Sequence, residues 1–381
     1  MHITHITLKN WRNFKFVDID VKKRMFIVGP NASGKSNLLD AVRFLRDVAK
    51  VGGGFQQAVA TRGGIGRVRC LAARNFNHGR VHLAVTLGDD ETPDQWRYAL
   101  DFRAESRGLR RPIVAEERVF MKGETLLTRP DRDDRADEER LTQTSLEQVN
   151  ANSQFREIAD FCTSVRYLHI VPQVVRSGEG ANDPYGGDLL LRMARTPEKT
   201  REARLTRLNR ALQVAVPQLD AMELIRDVDG KPHLEARYQH WRIQGARQDE
   251  RDFSDGTLRL IGLLWALLEG GKTAGPLLLE EPELSLHSSV VRQLPTILSR
   301  VQRTGGPQVL LTTHAAEVLG DEGIGLDEAV VLFPGEEGTT ARLASTIDDV
   351  AELIDTGMNL DEILRPMTEP GGVNDLARLG T

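Results

Sequence analysis

An α/β fold with a mixed central sheet is predicted for this chain of 381 residues by three patterns along its sequence. Near the N-terminus, an apolar segment (24–29) leads into a glycine-rich stretch and then into a helical repeat of apolar residues (36–49). Alternating apolar and polar residues between 81 and 127 predict an antiparallel sheet. After residue 252, helix and strand patterns alternate, which predicts parallel strands joined by helical crossovers.

The composition excludes several classes of protein. Hydrophobic residues make up 40% of the chain, enough for a sizeable core, and no apolar stretch is long enough to span a membrane. The first residues alternate like a strand and do not form a signal peptide, so we expect a cytoplasmic protein. A net charge of −5 argues against a globally basic nucleic-acid-binding protein. Cys70 and Cys162 lack metal-ligand spacing and are expected to be reduced core thiols.

We divide the chain into three parts. The N-terminal lobe (1–140) begins with a predicted strand pair (3–8 and 16–21) and contains the glycine-rich stretch and the antiparallel sheet. A helical insertion with three short strand patterns, "MELIRDV", "HLEARYQ" and "WRIQG", occupies 141–250. The C-terminal lobe (251–381) contains the alternating helices and strands.

Three segments connect these patterns. The run "RPDRDDRADEER" (129–140) mixes both charges without periodicity and is predicted to be a solvated loop. Residues 155–176 predict a helix that leads into a strand ending near Pro172. Residues 188–215 are predicted to be mostly helical, with a new helix starting at Thr196-Pro197.

The glycine-rich stretch "GPNASGKS" fits the pattern Gly, four residues, Gly-Lys-Ser. Gly29 and Gly34 permit backbone conformations and a close approach that a Cβ would hinder. Backbone N–H groups of such a loop, and the helix N-terminus that follows it, point at anionic phosphates. We therefore expect Lys35 to reach the β- and γ-phosphates of a nucleotide and the Ser36 hydroxyl to bind Mg²⁺.

Two carboxylates follow a buried strand of leucines in "PLLLEEPELSLH". Ligands of open α/β sheets bind at the carboxyl ends of the strands, so these groups are expected near the phosphates. Glu280 would bind Mg²⁺, through water, and Glu281 would orient or activate the attacking water. The alternative, a charged strand-to-helix turn, is disfavoured by the leucine strand and by Pro282.

Two further segments are candidates for phosphate contacts. The strand pattern "QVLLTTH" follows the carboxylate strand by one helical crossover and ends in His314, which we interpret as a phosphate sensor, although a histidine at a strand end is usually structural. In "DFSDGTLRLIGLLWAL", Ser254 is a natural N-cap and Gly256 keeps the backbone open before an apolar helix. This start is an ordinary capped helix, and it is also a second anion site.

The order of these motifs resembles the ABC-type ATPase heads of the RecF, SMC and OLD-like group, and most closely its stand-alone OLD/RecF-like AAA ATPases. "GPNASGKSNLLDAVRFL" is similar to Walker A, "FSDGTLRLIGLL" to the signature helix, "LLLEEPELSLH" to Walker B with the D-loop, and "LLTTH" to the switch histidine. "ITLKNWRNF" resembles the opening strand and adenine-side loop, which contains Arg12. "YLHIVPQVVR" is similar to the Q-loop, with Gln173 as the Mg²⁺-sensing residue.

The resemblance implies a P-loop ABC-type ATPase head with an antiparallel β lobe, which hydrolyses ATP with Mg²⁺. In this group two heads form a head-to-tail homodimer around ATP, so Ser254 and Gly256 would bind the γ-phosphate of the partner's nucleotide. It also implies a set of nucleotide contacts on the same subunit: Arg12, Gly29, Asn31, Ala32, Ser33, Gly34, Lys35, Ser36 and Asn37.

Several features depart from the pattern of the group. The Walker B aspartate is replaced by Glu280, one methylene longer, which is expected to alter metal geometry and slow turnover. Asp255 occupies a signature position where transporter subunits carry glycine, which argues against a transporter. No long heptad stretch lies between the Walker A and signature motifs, and the segment after His314 is too short for an appended nuclease domain.

Two functions remain open from the sequence. The first is an ATP-hydrolysing dimer that engages DNA in repair or anti-phage defence. One predicted helix has an arginine face that could contact DNA phosphates. Because the chain is rich in arginine, we favour a solvated face instead. The face consists of Arg204, Arg207 and Arg210, opposite Leu205, Leu208 and Leu212. The second is a slowly hydrolysing, ATP-locked scaffold that controls a separate effector, a nuclease or a toxin. No membrane partner is expected.

Overall fold

The computed structural model describes residues 1–72, 79–106, 108–178, 184–239, 246–270 and 275–369. These residues fold as two compact units. The first comprises Met1–Arg166, Gly275–Leu278 and Gln308–Thr381, and the second comprises Tyr167–Ala274 and Leu279–Pro307. The three predicted lobes, with boundaries at 140 and 250, stay a prediction.

Most strands belong to one large sheet of the first unit. They are β1 (His2–Trp11), β2 (Phe14–Asp20), β3 (Arg24–Val28), β4 (Val81–Gly88), β5 (Trp96–Ala104), β6 (Pro112–Met121), β7 (Glu124–Arg129), β13 (Val309–Thr312), β14 (Ala329–Gly335) and β15 (Gly338–Leu343). Two short strands, β8 (Arg166–Leu168) and β12 (Leu277–Glu280), begin in this unit. The strand order is β7-β6-β5-β4-β1-β2-β15-β14-β3-β13-β12-β8.

The sheet is mixed, as predicted. Antiparallel pairs run from β7 through β6, β5 and β4 to β1, and β1 pairs antiparallel with β2. Strand β3 pairs in parallel with both β13 and β14. Every residue of β3 and β13 is buried, as expected for interior strands of a parallel arrangement.

The described residues of the first unit form seven α-helices: α1 (Lys35–Ala49), α2 (Phe55–Ala60), α3 (Ile65–Val68), α4 (Arg132–Ala136), α5 (Arg156–Ser164), α12 (Val350–Asp355) and α13 (Leu360–Thr368). Helix α1 confirms the predicted helical repeat, because Leu38, Leu39, Ala41, Val42, Leu45 and Val48 are all buried. Cys70 and Cys162 are free thiols in the core, as expected.

The second unit contains six helices and a small sheet among its described residues. The helices are α6 (Pro172–Ser177), α7 (Leu189–Arg195), α8 (Glu198–Ala215), α9 (Asp255–Glu269), α10 (Ser288–Val291) and α11 (Leu294–Arg303). The sheet is antiparallel, in the order β11 (Ala246–Asp249), β10 (Pro232–Tyr238) and β9 (Leu219–Arg226). The helix break at Thr196-Pro197 is confirmed, whereas the predicted strand "WRIQG" lies outside the described residues.

Most of the run 129–140 is exposed as predicted, but the run is not simply a solvated loop. Helix α4 forms within it, and Arg129 and Asp134 are 3% and 0% exposed. The Arg129 guanidinium donates to both Asp134 oxygens at 2.8 Å and to Glu117 at 3.1 Å. Burial alone would raise the pKa of Asp134, but the hydrogen bonds from Arg129 and from the Asp131 backbone hold that pKa well below its usual range. Mutual pairing lets these two charged residues enter the interior, and sequence periodicity does not reveal pairing.

Two other boundaries differ from the predictions. The alternating segment near residue 120 forms two strands, β6 and β7, because Lys122 and Gly123 turn the chain with positive φ. The strand predicted to end near Pro172 ends at Leu168, and Pro172 instead begins helix α6.

Candidate functional site

The glycine loop between β3 and α1 is braced by one asparagine. Gly34 has φ 99°, and a Cβ placed there would lie 2.1 Å from the Asn13 amide nitrogen, so only glycine fits. That amide nitrogen donates to Ser33 O at 2.7 Å and to Thr339 Oγ1 at 2.8 Å. The Asn13 carbonyl oxygen accepts from Asn37 at 2.8 Å. The loop is therefore held in its conformation by contacts from the β1–β2 turn and from β15.

Lys35 points into the loop that it follows. Its side chain is buried, with 5% of the residue exposed, and Nζ donates to Gly29 O at 2.9 Å and to Pro30 O at 3.1 Å. His314 Nδ1 lies 3.3 Å from the same ammonium. His314, which follows β13, thus lies beside the glycine loop, and its role as a phosphate sensor stays a prediction. A largely desolvated cation at this position favours an anionic ligand.

The N-terminus of α1 has the properties of an anion site. Helix α1 is 15 residues long, and no side chain caps its first N–H groups. Asn31, Ala32 and Ser36 are exposed at its start, while the Ser33 hydroxyl is fully buried and has no hydrogen-bond partner among the described residues. Helix N–H groups without a side-chain cap, together with a buried ammonium, suit the phosphates of a nucleotide.

Arg12 is paired with an acid of helix α1. It has φ 54°, and its Nη2 donates to Asp40 Oδ2 at 3.0 Å. Its Nη1 donates to Arg67 O at 3.3 Å. These contacts fix the guanidinium locally, and the contact of Arg12 with ATP stays a prediction.

The two carboxylates lie in the second unit. Glu280 ends β12 after three buried leucines, and Glu281 follows it with φ 44°, a left-handed conformation that is uncommon for a non-glycine residue. Such strain is concentrated at functional sites. The Tyr167 hydroxyl donates to a carboxylate oxygen of Glu280.

Basic groups lie near these carboxylates. Burial lowers the pKa of His169, and the positive charge of Arg259 adds to that effect, while Glu281 opposes it. Burial likewise lowers the pKa of Arg259, against the effects of Asp255 and Glu281. Arg259, Glu280 and Glu281 line a cavity of about 10 Å³, close to the volume that one water molecule needs.

The signature segment begins helix α9 as predicted. Ser254 is the N-cap, and its Oγ accepts from the Thr257 N–H at 3.2 Å while the residue remains exposed. A Cβ on Gly256 would lie 2.3 Å from Ser285 O, so packing alone already requires glycine there. Both residues are available for a second role, and their contact with a partner's nucleotide stays a prediction.

Gln173 and Asp255 lie on helix α6 and at the start of helix α9. Gln173 is exposed on helix α6, and its Mg²⁺-sensing role stays a prediction. Asp255 forms a salt bridge of 2.7 Å with Arg176, whose guanidinium also donates to Phe253 O at 2.7 Å. Asp255 at the signature therefore ties α6 to the start of α9.

The donor set suits a metal ion that is bound mainly by phosphates and water. Among the described residues, no group of three or more His, Cys, Asp or Glu side chains could hold a metal by itself. Mg²⁺ commonly takes only one or two protein ligands beside substrate phosphates. Ser36 and Glu280 each carry an oxygen of the kind that Mg²⁺ binds, and their role as its ligands stays a prediction.

Sequence reasoning missed Asn13, Tyr167 and Arg259. Asn13 is part of the "NWRNF" segment, but its contact with Thr339 spans 326 positions. Tyr167 contacts Glu280 across 113 positions. No local pattern signals contacts of this range.

The glycine loop and its neighbouring histidine justify a comparison with known families. Residues 24–320 match the family described as "AAA domain, putative AbiEii toxin, Type IV TA system". The match covers more than half of the chain. The chain belongs to this AAA family. The predicted kinship with RecF-like, OLD-like and SMC-like ABC-type ATPases is confirmed.

Similar proteins match this AAA protein over short segments. It is 46% identical over 46 residues to "DNA replication and repair protein RecF" of Lactobacillus acidophilus, and 47% identical over 47 residues to "Endonuclease GajA" of Bacillus cereus. Each match covers 12% of this chain, and they cover 12% and 8% of the two relatives. The chain thus aligns with only a small part of either relative's length.

The fold of this AAA protein is similar to that of an SMC head. The crystal structure of the SmcHead bound to the C-winged helix domain of ScpA superimposes with a TM-score of 0.54 at 15% identity, covering 90% of this chain and 98% of that one. Identity this low supports a shared fold only. In the described part of this AAA protein, none of the helices is both long and apolar enough to cross a membrane.

Proposed function

We propose that this protein binds ATP with Mg²⁺, hydrolyses it, and forms a head-to-tail homodimer around the nucleotide, in DNA repair or anti-phage defence. The observation that carries the proposal is the buried Lys35 ammonium at the uncapped start of α1, 3.3 Å from His314. Family membership, the RecF and GajA matches and the SMC-head fold support the same assignment.

The residues of the first unit would bind and sense the phosphates. The glycine loop offers N–H groups to the β-phosphate, and Lys35 would exchange its loop carbonyls for phosphate oxygens. His314 beside Lys35 would then contact the γ-phosphate and register its loss. Bound Mg²⁺ would neutralise developing phosphate charge, with Ser36 and Glu280 as its protein ligands.

The residues of the second unit would act on hydrolysis and dimerisation. Glu281 would orient the attacking water. Its backbone adopts a strained, left-handed conformation directly after β12, as residues of functional sites often do. Ser254 and Gly256 would offer the start of α9 to the γ-phosphate on a second copy. ATP would thereby hold two copies together until hydrolysis releases them.

A second function is favoured by one observation. The carboxylate of Glu280, the longer replacement for aspartate, accepts a hydrogen bond from Tyr167, and this bond competes with metal binding. A slowly hydrolysing, ATP-locked scaffold would then control a separate effector. The toxin–antitoxin description of the family and the GajA match suit an effector of toxin or nuclease type.

Steady-state ATP hydrolysis by the purified chain, with and without duplex DNA, tests both functions. Glu281→Gln serves as the blank. Strong stimulation by DNA is the result expected for a nucleic-acid-gated ATPase. Turnover close to the blank, with ATP still bound, would instead support the scaffold, and absence of ATP binding would overturn both.

A further inference from the structure

A cavity in the first unit is lined by arginines that the proposed ATPase chemistry does not use. Its volume is about 1040 Å³, and its lining includes Arg69, Arg80, Arg103 and Arg110. We call it the arginine cavity. Arg69 follows helix α3, Arg80 precedes β4, Arg103 lies in β5, and Arg110 lies between β5 and β6.

The charge of the arginine cavity is largely unneutralised by the chain itself. Within the described residues, no carboxylate lies within 4.0 Å of Arg69, Arg103 or Arg110, and Arg80 lies 3.6 Å from Asp101. Glu105, the one acid in the lining, is bound by Arg111 at 2.8 Å. The cavity therefore carries a net positive charge.

Many arginines elsewhere in the same unit are paired. Arg24 binds Glu328 at 2.6 Å, Arg62 binds Asp40 at 2.8 Å, and Arg129 binds Asp134 at 2.8 Å. The chain as a whole has a net charge of −5. What distinguishes this cavity in an acidic protein is that four arginines line it together with a single acid, which is itself bound by Arg111.

The strand register brings two of these arginines together. Val81 in β4 pairs with Phe102 in β5, so Arg80 and Arg103 occupy neighbouring positions at the same end of the two strands. Like charges on facing positions of adjacent strands are destabilising by themselves. An external polyanion that contacts both guanidiniums would offset this repulsion.

The arginine face of helix α8 is a weaker candidate for the same role. The Arg204 guanidinium lies over the Trp265 ring, 5.5 Å from its centroid, and so packs within the second unit. Arg207 and Arg210 are exposed on the surface of a single helix and line no cavity. This face agrees with the predicted solvated surface.

We propose that the arginine cavity binds the phosphodiester backbone of a nucleic acid. The inference deepens the proposed function, on which it rests, by naming the surface that meets DNA. Four guanidiniums spread over one cavity match successive phosphates better than a single phosphate. The lining offers guanidiniums to phosphates, and phosphate contacts carry no sequence information, so we expect binding that is independent of sequence.

Fluorescence anisotropy with a short labelled DNA duplex, and with its single strand, tests the proposal on the full chain. The variant Arg103→Gln/Arg110→Gln is compared with Arg207→Gln/Arg210→Gln, which removes the same charge from α8. We expect the cavity variant to bind about 10-fold more weakly and to lower the salt slope by about two, because two phosphate contacts are lost. The α8 variant should match the unmodified chain.

Binding of labelled ATP by the same proteins separates this inference from the proposed function. ATP binding by all three proteins, with DNA affinity equal in all three or reduced only in the α8 variant, overturns the arginine cavity as the site. Competition by inorganic phosphate as effective as that by DNA, at equal phosphate concentration, also overturns it. Loss of ATP binding by the unmodified chain would contradict the proposed function instead.

Discussion

The glycine loop in the first unit and the signature segment in the second are both helix starts that suit an anion, yet they are built differently. The loop has no side-chain cap and is braced by Asn13 and Thr339, and the buried Lys35 points into it. The signature segment is capped by its own Ser254, which stays exposed. The first site has its charge and its shape from its own unit, whereas the role of the second as a contact for another molecule stays a prediction.

The largest effect, on ATP affinity, is expected from removing the positive charge of Lys35. Lys35→Met keeps much of the apolar stem but removes the ammonium, and we expect ATP affinity to fall at least about 100-fold because charge-assisted hydrogen bonds to phosphate are lost. Isothermal titration calorimetry measures the change. Lys199→Met, at an exposed lysine of α8, is the control and should bind ATP normally. Unchanged ATP affinity in Lys35→Met would mean that the charge of the glycine loop does not bind the nucleotide, and the contrast with the signature segment would fail.

Glu281→Gln separates binding from turnover. Hydrolysis should fall at least about 100-fold, since the amide cannot accept the proton of the attacking water, while ATP affinity changes less than about twofold. Phosphate release and nucleotide titration measure the two quantities. Glu202→Gln on the exposed face of α8 controls for the loss of one charge. Equal turnover in both variants would mean that Glu281 has another role.

Ser254→Arg tests whether the second helix start serves another molecule. A bulky cation there should abolish ATP-dependent dimers in the Glu281→Gln background while leaving the ATP affinity of the monomer intact. Light scattering after size exclusion gives the mass with and without ATP.

Two controls sharpen this test. Ser254→Gly also removes the cap, at a cost of only a few tenths of a kcal/mol, and should still dimerise. Ser177→Arg places the same bulk on exposed α6 and should have no effect. Dimers that persist in Ser254→Arg would show that the signature segment does not meet a partner.

The smallest effect concerns Tyr167. Tyr167→Phe frees the Glu280 carboxylate from one hydrogen bond worth about 1 kcal/mol, so we expect turnover to rise about fivefold at limiting Mg²⁺. The Mg²⁺ concentration at half-maximal rate should fall by a similar factor. Tyr238→Phe, in the small sheet of the same unit, is the matched control. An identical Mg²⁺ response in both variants would mean that this hydroxyl does not compete with the metal.

Local patterns predicted the parts of the site that are contiguous in sequence. The buried positions of α1, the N-cap at Ser254 and the position of His314 beside the loop follow from helical spacing, capping chemistry and strand order. The pairing of Arg129 with Asp134 and the contact of Tyr167 with Glu280 depend on how distant segments fold together. Composition alone made the first pair look solvated, because a charged residue is usually exposed unless it has a partner.

The bracing of the glycine loop by Asn13 also bears on how such a site can be moved between proteins. The carboxamide fills the space above Gly34, and it is itself positioned by a threonine 326 residues away. A graft of residues 29–36 into another sheet would carry the sequence motif without these supports. Residues 29–36 alone are therefore not expected to keep the conformation of the loop, and a design that transplants them must also include the β1–β2 turn and an equivalent of β15.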